Sequence, residues 1–351
     1  MKTLVITFLA FWTLCFSAEK KFITDKDFVI AAGQMPNMTI GRNESVQLVY
    51  GNGDSILYSS LKENASAFSK PALVSVIPHV YTFATRGPQI AATTQGLIVT
   101  ACTSTGNIYS FYKEGNGRWT RGGRVNDVDT VAKEGLTGLA ADGNNAFAVW
   151  LDLRGNRRNK IVGARSTDGG RTWSKNVLIY ASPDSTVCQC CKPSVAVNGN
   201  NVYVMFRNWL NGNRDVYLAQ SRDGGKTFSK PQKLGTGSWK LNGCPMDGGG
   251  LAVNQQGDVQ TVWQRAGKIF TAMPAKPEIE IGAGRGCTLA AMNDKTAYAW
   301  TEKGEVFVLD SKGQKRMLGK GIQPIVKILN NGDVVCVWEN EKQIKAALLS
   351  R

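Results

Sequence analysis

Ser166-Thr167-Asp168-Gly169-Gly170-Arg171-Thr172-Trp173 is followed 55 residues later by Ser221-Arg222-Asp223-Gly224-Gly225-Lys226-Thr227-Phe228. The two octapeptides share a serine, an aspartate two positions on, a Gly-Gly pair, a threonine and a closing aromatic ring. Such a segment reads as a locked turn: the carboxylate accepts backbone N–H groups, Gly-Gly permits positive φ, and the ring fills the gap beside a sheet. Degenerate versions lead up to Trp119 and Phe68, so the aromatics Phe68, Trp119, Trp173 and Phe228 recur at spacings of 51, 54 and 55 residues. A fixed period of this length marks one supersecondary unit used repeatedly.

Working outward, seven units fit the period. Each opens with a short apolar stretch: Pro36-Asn37-Met38, Pro88-Gln89-Ile90, Gly138-Leu139-Ala140, Pro193-Ser194-Val195, Gly250-Leu251-Ala252, Thr288-Leu289-Ala290 and Pro324-Ile325-Val326. After a polar turn comes an alternating strand carrying Val49-Tyr50, Val99-Thr100, Val149-Trp150, Met205-Phe206, Val262-Trp263, Ala299-Trp300 or Val337-Trp338, and a third strand follows. Strands at roughly 40 to 55 residue spacing with no helical pattern between them predict an all-β fold, a β-propeller whose blades are these seven units. Six blades, with one unit split in two, is the alternative. The last unit lacks an outer strand, whereas Phe28-Val29-Ile30 is a strand without a blade. Pairing the two closes the ring and leaves no open sheet edge. No Pro/Ser-rich linker divides the repeats, so residues 18–351 are expected to form one domain.

Composition narrows the function classes. Of the 351 residues 42% are hydrophobic and 20% charged, which excludes a disordered chain. The one histidine, His79, excludes sites built on several imidazoles. Residues 1–17 read as a signal peptide, with Lys2 as the positive region, Leu4 to Phe16 as the apolar core and Cys15-Phe16-Ser17 as the cleavage site. Export to the periplasm or the medium is the expected fate. No later run approaches ~20 apolar residues, so a transmembrane helix is not expected. The net charge of +15 favours an anionic partner such as an acidic glycan. Nucleic acid is disfavoured, because no compact Lys/Arg block is interleaved with aromatics. A generally basic surface without a specific partner is the plainer reading of the same charge.

The Ser-x-Asp-x-Gly-x-Thr-Trp pattern of the two octapeptides is the Asp-box, and on it the chain resembles the Asp-box (BNR-repeat) sialidase superfamily of β-propellers. The resemblance implies that Ser166, Asp168, Gly170 and Trp173, with Ser221, Asp223, Gly225 and Phe228, are structural and lie on the face away from the ligand. It further implies six blades, an arginine triad for a sugar carboxylate, an aspartate acid/base and a tyrosine nucleophile activated by glutamate. Arg86-Gly87-Pro88 looks like the family's Arg-Ile-Pro, with glycine for isoleucine. Arg207 and Arg265 follow the aromatic strands of their blades and are the other triad candidates, with Arg154 beside them. Asp152 and Asp247 are the candidate acids. Trp209, Trp239, Lys240 and Asp215 complete the expected sugar-binding set, since guanidinium groups grip carboxylates and aromatic faces pack on sugar rings. No tyrosine stands in a ligand-face loop of the last blades, which departs from the family. Two readings follow: a hydrolase of terminal acidic sugars, or a binding or assembly propeller without catalysis.

Removing Cys15 with the leader leaves seven of the eight cysteines. Cys102 and Cys336 fall inside strand alternations and are expected to be buried. Cys188, Cys190, Cys191 and Cys244 fall in two long connections flanking the fourth unit. A disulfide from one of the first three to Cys244 is expected there. Convergence of the four sulfurs on a metal such as copper(I) or zinc is the sharper alternative, and it would make the chain a metal or redox accessory protein. No cofactor is assigned from the sequence.

Overall fold

In the computed structural model the described residues are 27–350 apart from 63, 64 and 66. The expected signal peptide, residues 1–17, lies outside them. The described residues form seven four-stranded antiparallel sheets. Blade I holds Gln34–Ile40, Val46–Asn52, Ser55–Leu61 and Ala72–Val76. Blade II holds Gln89–Ala92, Gly96–Cys102, Ile108–Glu114 and Thr120–Arg124, and blade III holds Thr137–Asp142, Asn145–Asp152, Lys160–Ser166 and Val177–Tyr180. Blade IV follows with Ser194–Asn198, Asn201–Arg207, Val216–Ser221 and Gln232–Lys233, and blade V with Gly250–Val253, Val259–Arg265, Lys268–Ala272 and Ile279–Ala283. Blade VI comprises Arg285–Met292, Lys295–Glu302, Glu305–Leu309 and Lys315–Lys320. Blade VII takes Ile322–Ile328, Val334–Asn340 and Gln343–Leu349 from the end of the chain and Phe28–Ala32 from its start as the outer strand. Each innermost strand touches that of the next blade, and the innermost strand of blade VII touches that of blade I. The ring is therefore seven-bladed and is closed by the N-terminal strand, as the unpaired strand in the sequence implies. The six-bladed alternative is set aside.

Alternation along the strands builds a core between blades rather than one central core. The second strands place Tyr50, Thr100, Trp150, Phe206, Trp263, Trp300 and Trp338 at corresponding positions, and all seven are buried. Cys102 and Cys336 are buried in their strands as the alternation predicts.

Both full Asp-boxes occupy the turn between the third and fourth strands of blades III and IV. In each, the serine hydroxyl accepts the N–H of the second glycine, from Gly170 to Ser166 and from Gly225 to Ser221, both at 2.9 Å. The carboxylates of Asp168 and Asp223 accept the backbone N–H and hydroxyl of Thr172 and Thr227 at 3.0 and 2.6 Å. The second glycine docks the turn on the preceding blade: a Cβ at Gly225, where φ is +84°, would overlap the Phe147 ring. Phe228 then packs on Phe147 with ring centroids 5.5 Å apart.

The hydrogen bonds from Thr227, and after them that from Ser221, hold the Asp223 carboxyl below the usual carboxylate range. A carboxyl whose pKa is lower in the folded than in the unfolded chain contributes stability in full above its unfolded value near 4, and that stability drains as the pH falls further. Asp223→Asn is accordingly expected to melt a few degrees below the parent at pH 7, with the gap narrowing once the pH drops below about 4. Thermal melts from pH 7 to 3 check this, and a gap that stays constant would reject it.

In an antiparallel four-stranded blade, the turns after strands one and three share one face, and the remaining turns and the blade-to-blade crossings share the other. The Asp-boxes therefore face away from residues 77–88, 125–136, 181–193 and 234–249, the four long crossings. Crossings near the end of the chain shrink to single residues, Gly284 and Gly321.

Candidate functional site

The innermost strands of all seven blades enclose an axial channel of 470 Å³. These strands start at the long-crossing face, so residues near their beginnings form that mouth and residues near their ends form the Asp-box mouth. The long-crossing mouth receives Asn37, Gln89, Lys192, Asp247 and Gln323. Lys327 and Asn330 lie toward the opposite end. Lys192 Nζ donates to Gln89 Oε1 at 2.7 Å, and the same oxygen accepts Asn37 Nδ2 at 3.3 Å. Among the described residues Lys192 forms no ion pair. Enclosure in the channel brings its pKa down to about 8, because burial disfavours the charged form. Burial lowers Lys327 in the same way. Asp247 shares the mouth, but its carboxylate is held by backbone N–H groups, from Gly249 at 3.2 Å and Gly286 at 2.7 Å.

The arginines expected to converge on this hollow do not line it. Arg86 donates to the carbonyls of Glu134 at 2.5 Å and Ala84 at 2.9 Å. Arg154 is spent on Asp152 at 2.9 Å, Asn176 at 2.8 Å and Asp127 at 3.2 Å. Arg207 is 1% exposed and donates to the carbonyls of Asp247, Arg214 and Gln264 at 2.9, 2.6 and 2.7 Å. Arg265 pairs with Glu278 through both terminal nitrogens, one at 2.8 Å. The physical reason is common to all four. Arginines at or near strand ends meet carbonyls and acids of the neighbouring strands, turns and crossings, and those consume the donors. Asp152, fully enclosed, accepts the Trp150 indole N–H at 2.8 Å as well as the Arg154 guanidinium. Neither it nor Asp247 is a free carboxyl beside an arginine cluster.

The structure does bring part of the expected set together on blade IV, outside the channel. Asp215 accepts Ser238 Oγ and the Trp239 N–H, both at 2.9 Å, and pairs with Lys233 at 3.1 Å. The Arg207 guanidinium sits 5.4 Å from the Trp239 ring and that of Arg214 4.5 Å from the Trp209 ring. Lys240 forms a bridge with Asn213 beside them. Trp239 also borders a shallow hollow with Cys244, Gln264, Arg285 and Lys303. These contacts make the group a brace for the crossing 234–249.

Between that brace and the channel lie the cysteines. Cys190 is bonded to Cys244, one of the pairings the sequence allows, and ties the crossings on either side of blade IV. Closing a loop of 54 residues stabilises by about 4 kcal/mol in the chain-entropy model. Cys188 and Cys191 are buried thiols with Sγ atoms 3.1 Å apart. Arg214 Nη1 donates to Cys188 Sγ at 3.2 Å. The hydrogen-bonded contact with Cys191, with the charges of Arg214 and Arg207, outweighs burial and holds the Cys188 thiol below its usual pKa. Burial raises Cys191 and, in the channel wall, Cys287. Lys192, missed as a channel residue by the sequence reading, follows this cluster directly. Its signal in the sequence is its place just before an innermost strand, at the end of a crossing on the ligand face.

Residues 156–251 match the family model described as a BNR repeat-like domain. Among solved structures, the chain is similar to an ulvan lyase of polysaccharide lyase family PL25 bound to -[GlcA(1-4)Rha3S]-, at 10% identity and a TM-score of 0.58 over 92% of this chain and 95% of that one. It is also similar to virginiamycin B lyase from Staphylococcus aureus, at 13% identity and 0.54 over 93% and 99%. A third likeness is to the SapL1 lectin in complex with alpha methyl fucoside, at 14% identity and 0.52 over 83% and 97%. At such identities the likeness is one of fold. No helix among the described residues is long and apolar enough to cross a membrane. The matched segment holds both Asp-box turns, and the chain is thus a seven-bladed β-propeller in which residues 156–251, from the third blade into the fifth, are similar to a BNR repeat-like domain.

Proposed function

We propose that this chain is an exported binding propeller that takes the acidic end of a saccharide into the axial channel at Lys192, without hydrolysing it. One observation carries the reading: the Lys192 ammonium group faces the axial channel with an amide oxygen, and no carboxylate, as its partner. A half-buried cation without a counter-ion favours an anionic ligand. The hollow is of a size for one or two sugar rings, and Asn37, Gln89 and Gln323 supply neutral donors and acceptors. The lyase and lectin among the similar structures are described with saccharides bound, which supports the ligand class. The Cys190–Cys244 bond and the apolar leader support export. Against hydrolysis stand the engaged arginines and the two bonded carboxylates, Asp152 and Asp247.

Titration calorimetry with glucuronic and N-acetylneuraminic acids against their neutral counterparts tests this. The acids are expected to bind at least about tenfold more tightly, and Lys192→Met should remove the difference, since a hydrogen bond to a charged group contributes ~1.5–3 kcal/mol. Arg86→Ala and Arg265→Ala should keep it. Lys192 is cationic below its pKa of about 8, so acid binding should persist at pH 7 and fade as the pH rises to 9. Release of a fluorogenic sialoside between pH 4 and 8 is expected to be absent. Equal affinity for acid and neutral sugars, or an unchanged Lys192→Met variant, would reject the proposal.

A further inference from the structure

Three sulfurs meet beside the channel mouth. Cys188 Sγ lies 3.7 Å from Cys190 Sγ and 3.1 Å from Cys191 Sγ, and Cys190 and Cys191 are 4.0 Å apart. A point equidistant from the corners of such a triangle is about 2.1 Å from each, near the ~2.3 Å of a metal–thiolate bond. Among the described residues this is the one cluster of three or more potential ligands whose donor atoms lie this close. Cys244, joined to Cys190, brings a fourth sulfur to the same place. Neither a carboxylate nor an imidazole belongs to the cluster, and an all-sulfur donor set selects soft ions. The surroundings suit the negative charge such a complex carries: Arg214 Nη1 is 3.2 Å from Cys188 Sγ, and the Arg207 guanidinium is enclosed nearby.

We propose that Cys188, Cys190 and Cys191, with Cys244 as fourth ligand, form a thiolate site for a soft d10 metal ion, copper(I) or zinc(II), that the Cys190–Cys244 disulfide keeps closed. Opening needs a dithiol reductant. Its thiolate attacks the disulfide, the Cys190–Cys244 bond breaks, the two cysteines take up the electron pair and two protons, and the reductant leaves as a disulfide. The metal ion then replaces the thiol protons, which pass to solvent. The site does not depend on saccharide binding, because its readout is metal content.

The test uses the full chain, reduced with dithiothreitol, desalted without oxygen, and given copper(I) as its acetonitrile complex or zinc(II) in separate arms. About one ion per chain is expected to survive desalting in at least one arm, and the arm that retains it names the ion. The oxidised protein should retain at least about tenfold less. Cys188→Ala and Cys191→Ala should each lower retention about tenfold, while Cys102→Ala and Cys336→Ala leave it unchanged. Near-ultraviolet dichroism checks folding. Alkylation mapped by mass spectrometry on the unmutated chain gives a second readout, since the ion should shield Cys188, Cys190, Cys191 and Cys244 from reagent. A folded, reduced protein that retains neither ion, or in which those four thiols alkylate equally with and without metal, would overturn the proposal.

Discussion

A chain lacking residues 27–32 is expected to melt about 6–10 °C below the intact protein and to self-associate. The strand Phe28–Ala32 is the outer member of blade VII, in antiparallel register with the third strand, Phe28 opposite Ala346 and Ala32 opposite Gln343. Phe28, Ile30 and Ala31 pack on the core cluster between blades VII and I that contains Leu48, Leu61 and Ile344. Lys345 Nζ is bonded to Asp27 at 2.6 Å, and the Gly33 N–H to the Lys342 carbonyl at 2.8 Å. Half-buried apolar side chains at ~1 kcal/mol each and a short run of ladder hydrogen bonds at ~1 kcal/mol each sum to roughly 4–7 kcal/mol. That is a large share of the net stability of a typical domain. The removal also bares the edge of Gln343–Leu349, a template for pairing with another copy. Val29, on the same strand but 51% exposed, supplies the control: Val29→Thr should melt as the parent does. Differential scanning calorimetry with size-exclusion chromatography decides. A truncated chain that stays monomeric and melts within about 2 °C of the parent would refute closure of the ring by this strand.

What could be read in the sequence was whatever local chemistry dictates. The Asp-box turns are closed by contacts within eight residues, so Asp168 and Asp223 were legible as turn locks from their spacing to Ser166, Thr172, Ser221 and Thr227. The period-2 alternation around Val149-Trp150 or Val337-Trp338 fixed the second strands, and counting strands exposed Phe28-Val29-Ile30 as the piece that completes the last blade. The cysteines were half legible. Two crossings flanking one blade must come near each other, but which of Cys188, Cys190 and Cys191 reaches Cys244 depends on the path of the crossing, not on spacing.

The arginines were the least legible. Their spacing after aromatic strands placed Arg207 and Arg265 at strand ends, which is correct, yet the partners that occupy them lie elsewhere in the chain. Arg265 meets Glu278 from the fourth-strand side of its own blade, and Arg207 meets carbonyls of residues 214, 247 and 264. Charge pairing across a ring is a property of register and packing, and no linear spacing encodes it. Lys192 was visible only as the tail of a cysteine run, although its position one residue before Pro193 and the innermost strand of blade IV aims it at the axis.

Trp338→Ala is expected to cost ~3–5 kcal/mol, the range for emptying a large aromatic from a core. The side chain is fully enclosed, and its indole N–H donates to the Lys320 carbonyl at 2.9 Å, so the substitution leaves a cavity and removes that hydrogen bond. The crossing from blade VI to blade VII is one residue long, and it fits because that residue is Gly321. Its φ is +151°, and a Cβ there would overlap the Trp338 ring at Cδ1. The ring and the crossing thus hold one another. Gly321→Ala should destabilise through this clash, and in the Trp338→Ala background it should cost less, because the opposing ring is gone; what remains is the backbone strain and the approach of the added Cβ to the Glu339 carbonyl oxygen at 2.6 Å. Non-additivity of this sign is the mark of direct contact. Denaturant titration of the two single variants and the double variant measures it, with Leu73→Ala, at a 55% exposed outer-strand position, as a control near zero. A Trp338→Ala loss below about 1 kcal/mol, or strict additivity with Gly321→Ala, would mean that the second-strand aromatics do not hold the blades together.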